Sequence, residues 1–257
     1  MTRARLLAVV VVALACATAA HAFRPSYRWL FDQMAARQIE RGIRTLKVEQ
    51  EVMRYGRADA PKGYGTFAVV SALSPDGWRR EVSLPEGKEL VVRTAKKTLV
   101  EIPKAGAQPS SQSSKTRPDF IVAFLTTGEA LERAVAAARL EEAAKDLGVA
   151  LDVVSYARFD GRVSYVIGAK SWDTSVPSVW IDKETLLPLR TIAVKKGADG
   201  KSSTTDTRLR GWGSPEGGSW FPKTIEVWVD GVLMESATTR TADRNLNLDA
   251  ADFKLPD

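Results

Sequence analysis

The residue types that provide most nucleophiles, general bases and metal ligands are nearly absent from this chain. Its one cysteine is Cys16 and its one histidine is His21. Both lie within the first 22 residues, a segment with the features of a cleaved signal peptide. A mature chain without that segment has no disulfide, no Cys or His metal ligand, no Cys nucleophile and no Ser-His-Asp triad.

Carboxylates, hydroxyls and lysines are the side chains left for catalysis. Asp160, Asp199 and Asp230 each stand directly before a glycine, which is the pattern of a tight turn. Residues 211–213 and 217–218 are rich in glycine but lack the spacing and the following helix of a phosphate loop. No Gly-x-Ser-x-Gly motif is present, and a Ser-Lys nucleophile pair needs companion motifs to be recognised. We therefore expect no enzyme activity, no cofactor and no metal.

The first 22 residues show the three zones of a secretory signal. Arg3 and Arg5 give a positive start, residues 6–15 form an apolar run, and a small-x-small site ends at Ala22. The run is shorter than the roughly 20 apolar residues that a membrane-spanning helix needs. Cleavage after Ala22 leaves residues 23–257, a length that suits one β-rich domain. We expect export to the periplasm.

An alternative interpretation of the same segment makes Cys16 a lipidated N-terminus, since small residues precede it. Lipoprotein signals usually carry leucine three residues before the cysteine, where this chain has Ala13. The site ending at Ala22 provides an ordinary cleavage point instead. Lipidation at Cys16 stays open as a route that would tether the protein to a membrane.

The charge of the chain is weakly positive. Removing residues 1–22 removes Arg3 and Arg5 from the 37 basic residues and none of the 31 acidic ones, so the formal charge falls from +6 to +4. A nucleic-acid-binding domain concentrates basic residues in a patch. The densest stretch is residues 93–97, which is typical of a solvated face. We expect no nucleic-acid partner.

Most of the chain has the two-residue period of β-strands. Leu46, Val48 and Val52 alternate with charged residues, and comparable segments follow. Asp-Gly pairs favour the type I′ turns of hairpins, and they occur at Asp76-Gly77, Asp160-Gly161, Asp199-Gly200 and Asp230-Gly231. The pattern predicts an antiparallel meander with strands near residues 46–52, 67–73, 78–84, 90–92, 99–102, 151–159, 163–167, 179–182, 189–195, 207–212, 224–229 and 233–241.

Two helices and a loop interrupt the strand pattern. Residues 25–41 carry apolar side chains at helical spacing, with Gly42 as the stop. A second helix is predicted over residues 126–147, because Thr126 and Glu129 have the spacing of a capping box and an alanine-rich stripe follows. Residues 106–118 are polar and rich in serine, which predicts a flexible loop.

Three segments of the second half resemble a known family. They are WIDKETLLPLR at 180–190, WFPKTI at 220–225, and NLNLD with DFKLP between 245 and 256. They are similar to segments of periplasmic outer-membrane lipoprotein-sorting proteins, the LolA-like carriers. The resemblance covers residues 160–256, and the order helix, strands, helix, strands suits the whole chain.

The resemblance implies an α+β fold in which a strongly curved antiparallel sheet, an incomplete β-barrel, is covered by helices on its open side. It implies a non-catalytic carrier that binds acyl chains of lipids or lipoproteins in an apolar cavity for transfer to the outer membrane. The implied partners are an inner-membrane release complex and an outer-membrane acceptor, and a monomer is expected. Strand alternation and the first helix place the cavity wall at Leu30, Phe31, Met34, Phe67, Val69, Val163, Tyr165, Ile167, Trp180, Ile225, Val227 and Val229.

Two alternatives stay open at this point. The same fold occurs in periplasmic envelope-stress sensors, so the chain could report lipids or misassembled proteins to a partner. Leu30, Phe31 and Met34 could form a lid over a cavity or belong to a permanent core. The seven tryptophans, all outside the first 22 residues, could likewise fill a core or line a cavity.

We predict that the exported protein begins at Phe23, because the small-x-small site ends at Ala22. Intact-mass spectrometry of protein purified from the envelope of the expressing cells checks this. A mass that corresponds to an acylated chain beginning at Cys16 would show that the lipoprotein interpretation is right.

Overall fold

A computed structural model describes residues 25–55, 63–73, 77–94, 98–104, 107–114, 120–197 and 200–253. The predicted signal peptide lies outside the described residues. Three α-helices are present in the described part, followed near the end by a short 3₁₀ helix. They are α1 (Tyr27–Glu40), α2 (Phe120–Leu125), α3 (Arg133–Asp146) and the 3₁₀ helix Ala250–Phe253.

All thirteen described strands belong to one antiparallel sheet. Its order is β6-β5-β4-β3-β2-β1-β13-β12-β11-β10-β9-β8-β7, so β6 and β7 are its two edges and the sheet is not closed. The strands are β1 (Thr45–Arg54), β2 (Tyr64–Leu73), β3 (Gly77–Leu84), β4 (Gly87–Arg93), β5 (Thr98–Lys104), β6 (Ala107–Ser114), β7 (Val154–Phe159), β8 (Arg162–Ile167), β9 (Ser178–Asp182), β10 (Pro188–Lys196), β11 (Ser202–Arg210), β12 (Thr224–Val229) and β13 (Val232–Arg244).

The expected fold class is confirmed. The chain forms an incomplete barrel, a curved antiparallel sheet with helices over one face. A twisted sheet rarely exceeds ten strands without curling, and this one has thirteen. Its concave face packs under the helices, and the opposite face is called the convex face below.

Local sequence signals explain how most elements begin and end. The Ser26 side chain accepts a hydrogen bond from the Trp29 amide and caps α1, which stops before Gly42 at a positive φ of 61°. Asp160 and Gly161 have φ values of 54° and 77°, as a type I′ hairpin requires. Asp230 and Gly231 repeat this pattern with φ values of 50° and 80°. Asp76 and Asp199 lie outside the described residues, but their flanking strands pair as predicted.

The predicted flexible loop at 106–118 is wrong for its central part. Residues 107–114 form the edge strand β6, which pairs antiparallel with β5. An edge strand bonds through its backbone to a single neighbour, so it can form from serine-rich sequence that offers no apolar side chain. Composition therefore could not distinguish this strand from a loop.

The predicted start of the second helix at Thr126 is also wrong. Thr126 and Thr127 directly follow α2, and their hydroxyls donate to the carbonyls of Val122 and Ala123. The helix α3 starts only at Arg133, and its N-cap Glu132 makes no side-chain capping bond. Threonine hydroxyls bond backward to helical carbonyls as readily as they cap, so the capping-box spacing had a second explanation.

The β9–β10 hairpin belongs to the segment that carries the family resemblance. Asp182 is buried, and its carboxylate accepts hydrogen bonds from the amides of Glu184 and Thr185. The same carboxylate forms an ion pair with Arg162 at 2.7 Å. These bonds hold a turn in which Leu186 has a positive φ of 56°. The Asp182 carboxylate therefore determines the shape of this hairpin.

The convex face carries arginine side chains that stack on aromatic rings. The Arg190 guanidinium lies 4.9 Å from the Trp180 ring centre, and Arg208 lies 4.4 Å from that of Trp228. The Asp206 carboxylate forms ion pairs with Arg190 at 2.7 Å and with Arg208 at 2.8 Å. Burial raises the pKa of the Asp206 carboxyl, but hydrogen bonds from Arg190 and Arg208 outweigh it and leave the pKa below its usual range.

We predict a pH-dependent difference in stability between the wild type and Asp206→Asn. Because the folded pKa of Asp206 is lowered, its contribution is complete above the unfolded pKa of about 3.9 and is lost as the pH falls through the folded pKa. Urea unfolding at neutral pH should therefore show a less stable variant. The gap should narrow as the pH is lowered below about 4. A gap of constant size down to acid pH would contradict this account.

Candidate functional site

The concave face under the helices, called the covered zone, is the largest buried apolar region. Leu30, Phe31 and Met34 of α1 are each at most 1% exposed. The ring of Phe31 lies 5.6 Å from that of Phe120 in α2. The covered zone also contains inward residues of the four strands β1, β2, β8 and β9, namely Leu46, Val48, Val70, Ala72, Tyr165, Ile167, Val179 and Ile181.

The helices are attached to each other and to the sheet by a few polar contacts. Arg133 of α3 forms a two-pronged ion pair with Asp32 of α1. Arg37 of α1 donates to the Glu184 carbonyl, at 2.5 Å, in the β9–β10 turn. The Arg133–Asp32 pair is called the latch. Its side chains are 49% and 39% exposed, so it adds little stability.

Beyond the helices, the concave face continues as a second apolar cluster. Val52, Ala68, Val82 and Ala237, here called the small-residue cluster, are buried on β1, β2, β3 and β13. Ile225 of β12 packs against both this cluster and the covered zone. The apolar lining of the concave face is therefore continuous from the helices to the far ends of these strands.

Four charged side chains close the end of this lining. Arg54 donates two hydrogen bonds of 3.0 Å to Glu89 and one of 3.0 Å to Glu235. Arg80 pairs with Glu235 at 2.6 Å. These residues, called the charged quartet, are mostly buried, with side-chain exposures of 17–20%. Two positive and two negative charges leave the quartet formally neutral.

The contacts within the quartet are a consequence of the curvature of the sheet. Arg54 on β1 and Glu89 on β4 stand three strands apart in the sheet order. In a flat sheet this separation is about 14 Å. Their side chains nevertheless meet, and Arg80 on β3 likewise reaches Glu235 on β13. The quartet therefore spans the hollow of the curled sheet and acts as a brace between distant strands.

Gln50 is the exception among the buried polar groups of the concave face. It is 2% exposed and lies on β1 between the inward residues Val48 and Val52. Its Nε2 is buried and finds no hydrogen-bond partner among the described residues. Its neighbours in register are Ala68 and Thr239, and the Thr239 hydroxyl already donates to the Pro222 carbonyl. An orphaned buried amide costs about 1–3 kcal/mol.

The structure brings most of the predicted wall residues to the concave side. Leu30, Phe31, Met34, Tyr165 and Ile167 lie in the covered zone. Ile225 joins the two clusters, and alternation places Val227 and Val229 on the same face as Ile225, partly buried. Alternation also places Val163 on the face of Tyr165, but next to the hairpin turn, where it is 36% exposed.

Three predicted wall residues lie on the wrong face. Phe67 and Val69 alternate with the inward residues Ala68 and Val70, so they lie on the convex side, where Phe67 is 66% exposed. Trp180 packs in a separate convex cluster with Val166. In β2 both alternating rows contain apolar residues, and the larger side chains of the strand are not the inward ones, so alternation alone could not tell its two faces apart. In β9 Trp180 shares its row with Ser178 and Asp182, so alternation favoured Val179 and Ile181 as the inward residues.

Sequence reasoning missed several residues of the site. The apolar run of α2, including Phe120 and Phe124, was hidden by its position after the serine-rich segment. Gln50 had a detectable signal, because it is a polar residue in the inward row of β1. The charged quartet had no detectable sequence signal, because its members pair across strands that are distant in sequence.

Five of the seven tryptophans divide between the two faces rather than lining one cavity, while Trp29 and Trp172 are 43% and 76% exposed. Trp78, Trp212 and Trp220 pack at the margin of the covered zone, and the indole N–H groups of the last two donate to the Pro188 and Ala242 carbonyls. Trp180 and Trp228 lie under arginines on the convex face. They therefore act mainly as structural residues at the edges of the core.

Comparison with known proteins identifies the fold. No protein-family model matches the chain, and no curated protein sequence matches it. A solved domain from Vibrio parahaemolyticus, whose name assigns it to outer membrane lipoprotein sorting, matches with a TM-score of 0.54 at 13% identity. The match covers 88% of this chain and 95% of that domain. The resemblance expected from the sequence is thus confirmed at the level of the fold.

Two other solved structures match more weakly. A LolA superfamily protein from Nitrosomonas europaea has a TM-score of 0.49 at 12% identity, with 88% of this chain and 96% of that chain covered. A complex of MucA and MucB from Pseudomonas aeruginosa has a TM-score of 0.28 at 12% identity, with 88% of this chain and 61% of that chain covered. Scores below one half are too low to support an argument.

The part of the chain that the structure describes contains no group of three or more His, Cys, Asp or Glu side chains placed to hold a metal ion. None of its helices has the length and apolar character needed to cross a bilayer. The concave face, with its apolar lining, the charged quartet and the unpaired Gln50 amide, is the best-defined candidate site.

We predict that Phe31→Ala lowers the free energy of unfolding by about 3–5 kcal/mol, because the ring is fully buried against Phe120. Trp29→Ala on the exposed flank of the same helix serves as the control, since that side chain is 43% exposed. Urea unfolding of both variants checks this. Equal effects of the two changes would show that Phe31 is not part of the core in the unliganded protein.

Proposed function

We propose that this protein is a non-catalytic periplasmic carrier that binds acyl chains of a lipid or lipoprotein against the concave face of its sheet. One observation carries the proposal: Ile225 links the apolar lining of the covered zone to that of the small-residue cluster, so that the two form one strip along the concave face. An elongated apolar ligand needs such a strip. The shared fold with a lipoprotein-sorting domain supports the same class of ligand.

In the described structure the covered zone is occupied by the protein's own side chains, so a ligand must replace them. Exposing Leu30, Phe31 and Met34 costs about 1.5–3 kcal/mol for each side chain. Each buried CH₂ of a ligand contributes about 0.8 kcal/mol. About six to eleven methylenes therefore offset the loss of these three contacts. Long acyl chains meet this requirement, and short ones do not.

Helix α1 provides the moving part in this proposal. It forms the cover, and the latch that joins it to α3 must break as α1 swings away from the sheet. The bond from Arg37 to the Glu184 carbonyl must break as the cover opens. Single exposed contacts of this kind cost little to break, whereas the apolar contacts beneath them must be replaced by the ligand.

The proposal assigns the protein to the periplasm, after export and cleavage of residues 1–22. An inner-membrane release complex that loads it and an outer-membrane acceptor that unloads it are the partners such a carrier needs. Catalytic groups have no part in this activity, because transfer between hydrophobic sites requires only differences in binding free energy.

Acyl-chain length provides the first test. We expect the purified protein to bind an environment-sensitive fluorescent acyl probe, and methyl esters of about 6, 12 and 18 carbons to displace it with steeply rising affinity. Each two methylenes should improve the affinity roughly tenfold, until the strip is filled. Solvent extraction and mass spectrometry of protein from its native envelope should show a co-purified lipid.

The latch provides a matched pair of variants for the same assay. Asp32→Asn weakens the link between α1 and α3 and should speed probe loading in stopped-flow fluorescence. Asp160→Asn is the control, because it makes the same change in an exposed ion pair with Arg210, between the β7–β8 turn and strand β11. If the wild type binds no acyl probe of any length, the carrier proposal is wrong and a sensor of the same fold becomes the better hypothesis.

A further inference from the structure

We propose that Gln50 is a ligand-binding residue whose Nε2 donates a hydrogen bond to the carbonyl oxygen of an acyl ester. The inference rests on the proposed function and defines its ligand more narrowly. Gln50 is 2% exposed, and its amide nitrogen has no partner among the described residues. Nearly all buried polar groups in native proteins are paired, so an unpaired donor in a candidate site indicates an acceptor that arrives with a ligand.

The position of Gln50 suits this role. Its inward neighbours along β1 are Val48, which belongs to the covered zone, and Val52, which belongs to the small-residue cluster. An acyl chain lying along the concave face from one cluster to the other must pass it. The amide is therefore an unpaired polar group between the two apolar clusters.

The surroundings of Gln50 also select the kind of acceptor. A carboxylate or phosphate buried there needs a cation, but Arg54 and Arg80 of the charged quartet are both bound to glutamates. The neighbouring Thr239 hydroxyl is likewise already used as a donor. A neutral NH₂ group on an apolar strip suits a neutral acceptor such as a carbonyl oxygen. An ester carbonyl with hydrocarbon attached has this chemistry, and both glycerolipids and the acylated ends of lipoproteins carry it.

The test compares ligands with and without the carbonyl. A fluorescent diacylglycerol and its dialkyl ether analogue with equal chains are titrated into the wild type, Gln50→Leu and the control Thr239→Val. The wild type should favour the ester over the ether more than Gln50→Leu does, by roughly three- to tenfold in the ratio of their Kd values. Thr239→Val should keep the wild-type ratio, because its hydroxyl is already engaged.

Two further measurements make the result specific. The infrared carbonyl band of a ¹³C-labelled ester should move to lower frequency on binding to the wild type and less on binding to Gln50→Leu. Thermal unfolding of unliganded Gln50→Leu should give a Tm equal to or above that of the wild type, since the change removes an unpaired polar group. If leucine prevents folding, Gln50→Met gives an unbranched side chain without the donor.

The outcomes separate the two proposals. If the ester and the ether bind but their ratio is the same in the wild type and the Gln50 variants, Gln50 is not a ligand donor and the carrier function stands. If neither ligand binds, the carrier proposal fails and the role of Gln50 fails with it. A diacylated cysteine lipopeptide that competes with the diacylglycerol would identify a lipoprotein as the source of the ester, and one that does not would identify a glycerolipid.

Discussion

The width of the sheet is the constraint on which the rest of the structure depends. A sheet of thirteen antiparallel strands rarely stays uncurled, and curling creates a concave face on which the helices pack. Helices α1, α2 and α3 cover part of this face with Leu30, Phe31 and Phe124. The part beyond the helices stays apolar through small side chains such as Ala68 and Ala237.

Charged groups stabilise the two faces in different ways. On the convex face, Arg190 and Arg208 stack on tryptophans and share Asp206, so each charge is paired at the surface of a curved sheet. On the concave face, the charged quartet joins β1, β3, β4 and β13 across the hollow. Removing one member of such a partly buried network leaves its partners unpaired, which is costly. The quartet thus maintains the curvature that the site requires.

The same apolar contacts serve both folding and the proposed binding. In the described structure the apolar side chains of α1 cover part of the concave face. In the proposed function a long acyl chain competes with them for the same surface. This competition sets a minimum chain length without any specific contact. In the proposed role, Gln50 lets the strip distinguish esters from ethers. Its buried amide nitrogen is desolvated and unpaired, and an ester carbonyl can accept a hydrogen bond from it.

The sequence by itself determined the elements whose signals are local. The helix after Ser26, the Asp-Gly hairpins and the inward row Leu46, Val48 and Val52 follow from capping, positive-φ turns and alternation, and the family resemblance predicted how they assemble. Only the tertiary structure decided which face of β2 points inward, since Phe67 looks as suitable for burial as its neighbours Ala68 and Val70. It also decided that residues 107–114 form an edge strand and that Arg54 meets Glu89. These outcomes depend on curvature and on pairing between strands distant in sequence, and neither leaves a periodic signal in the chain.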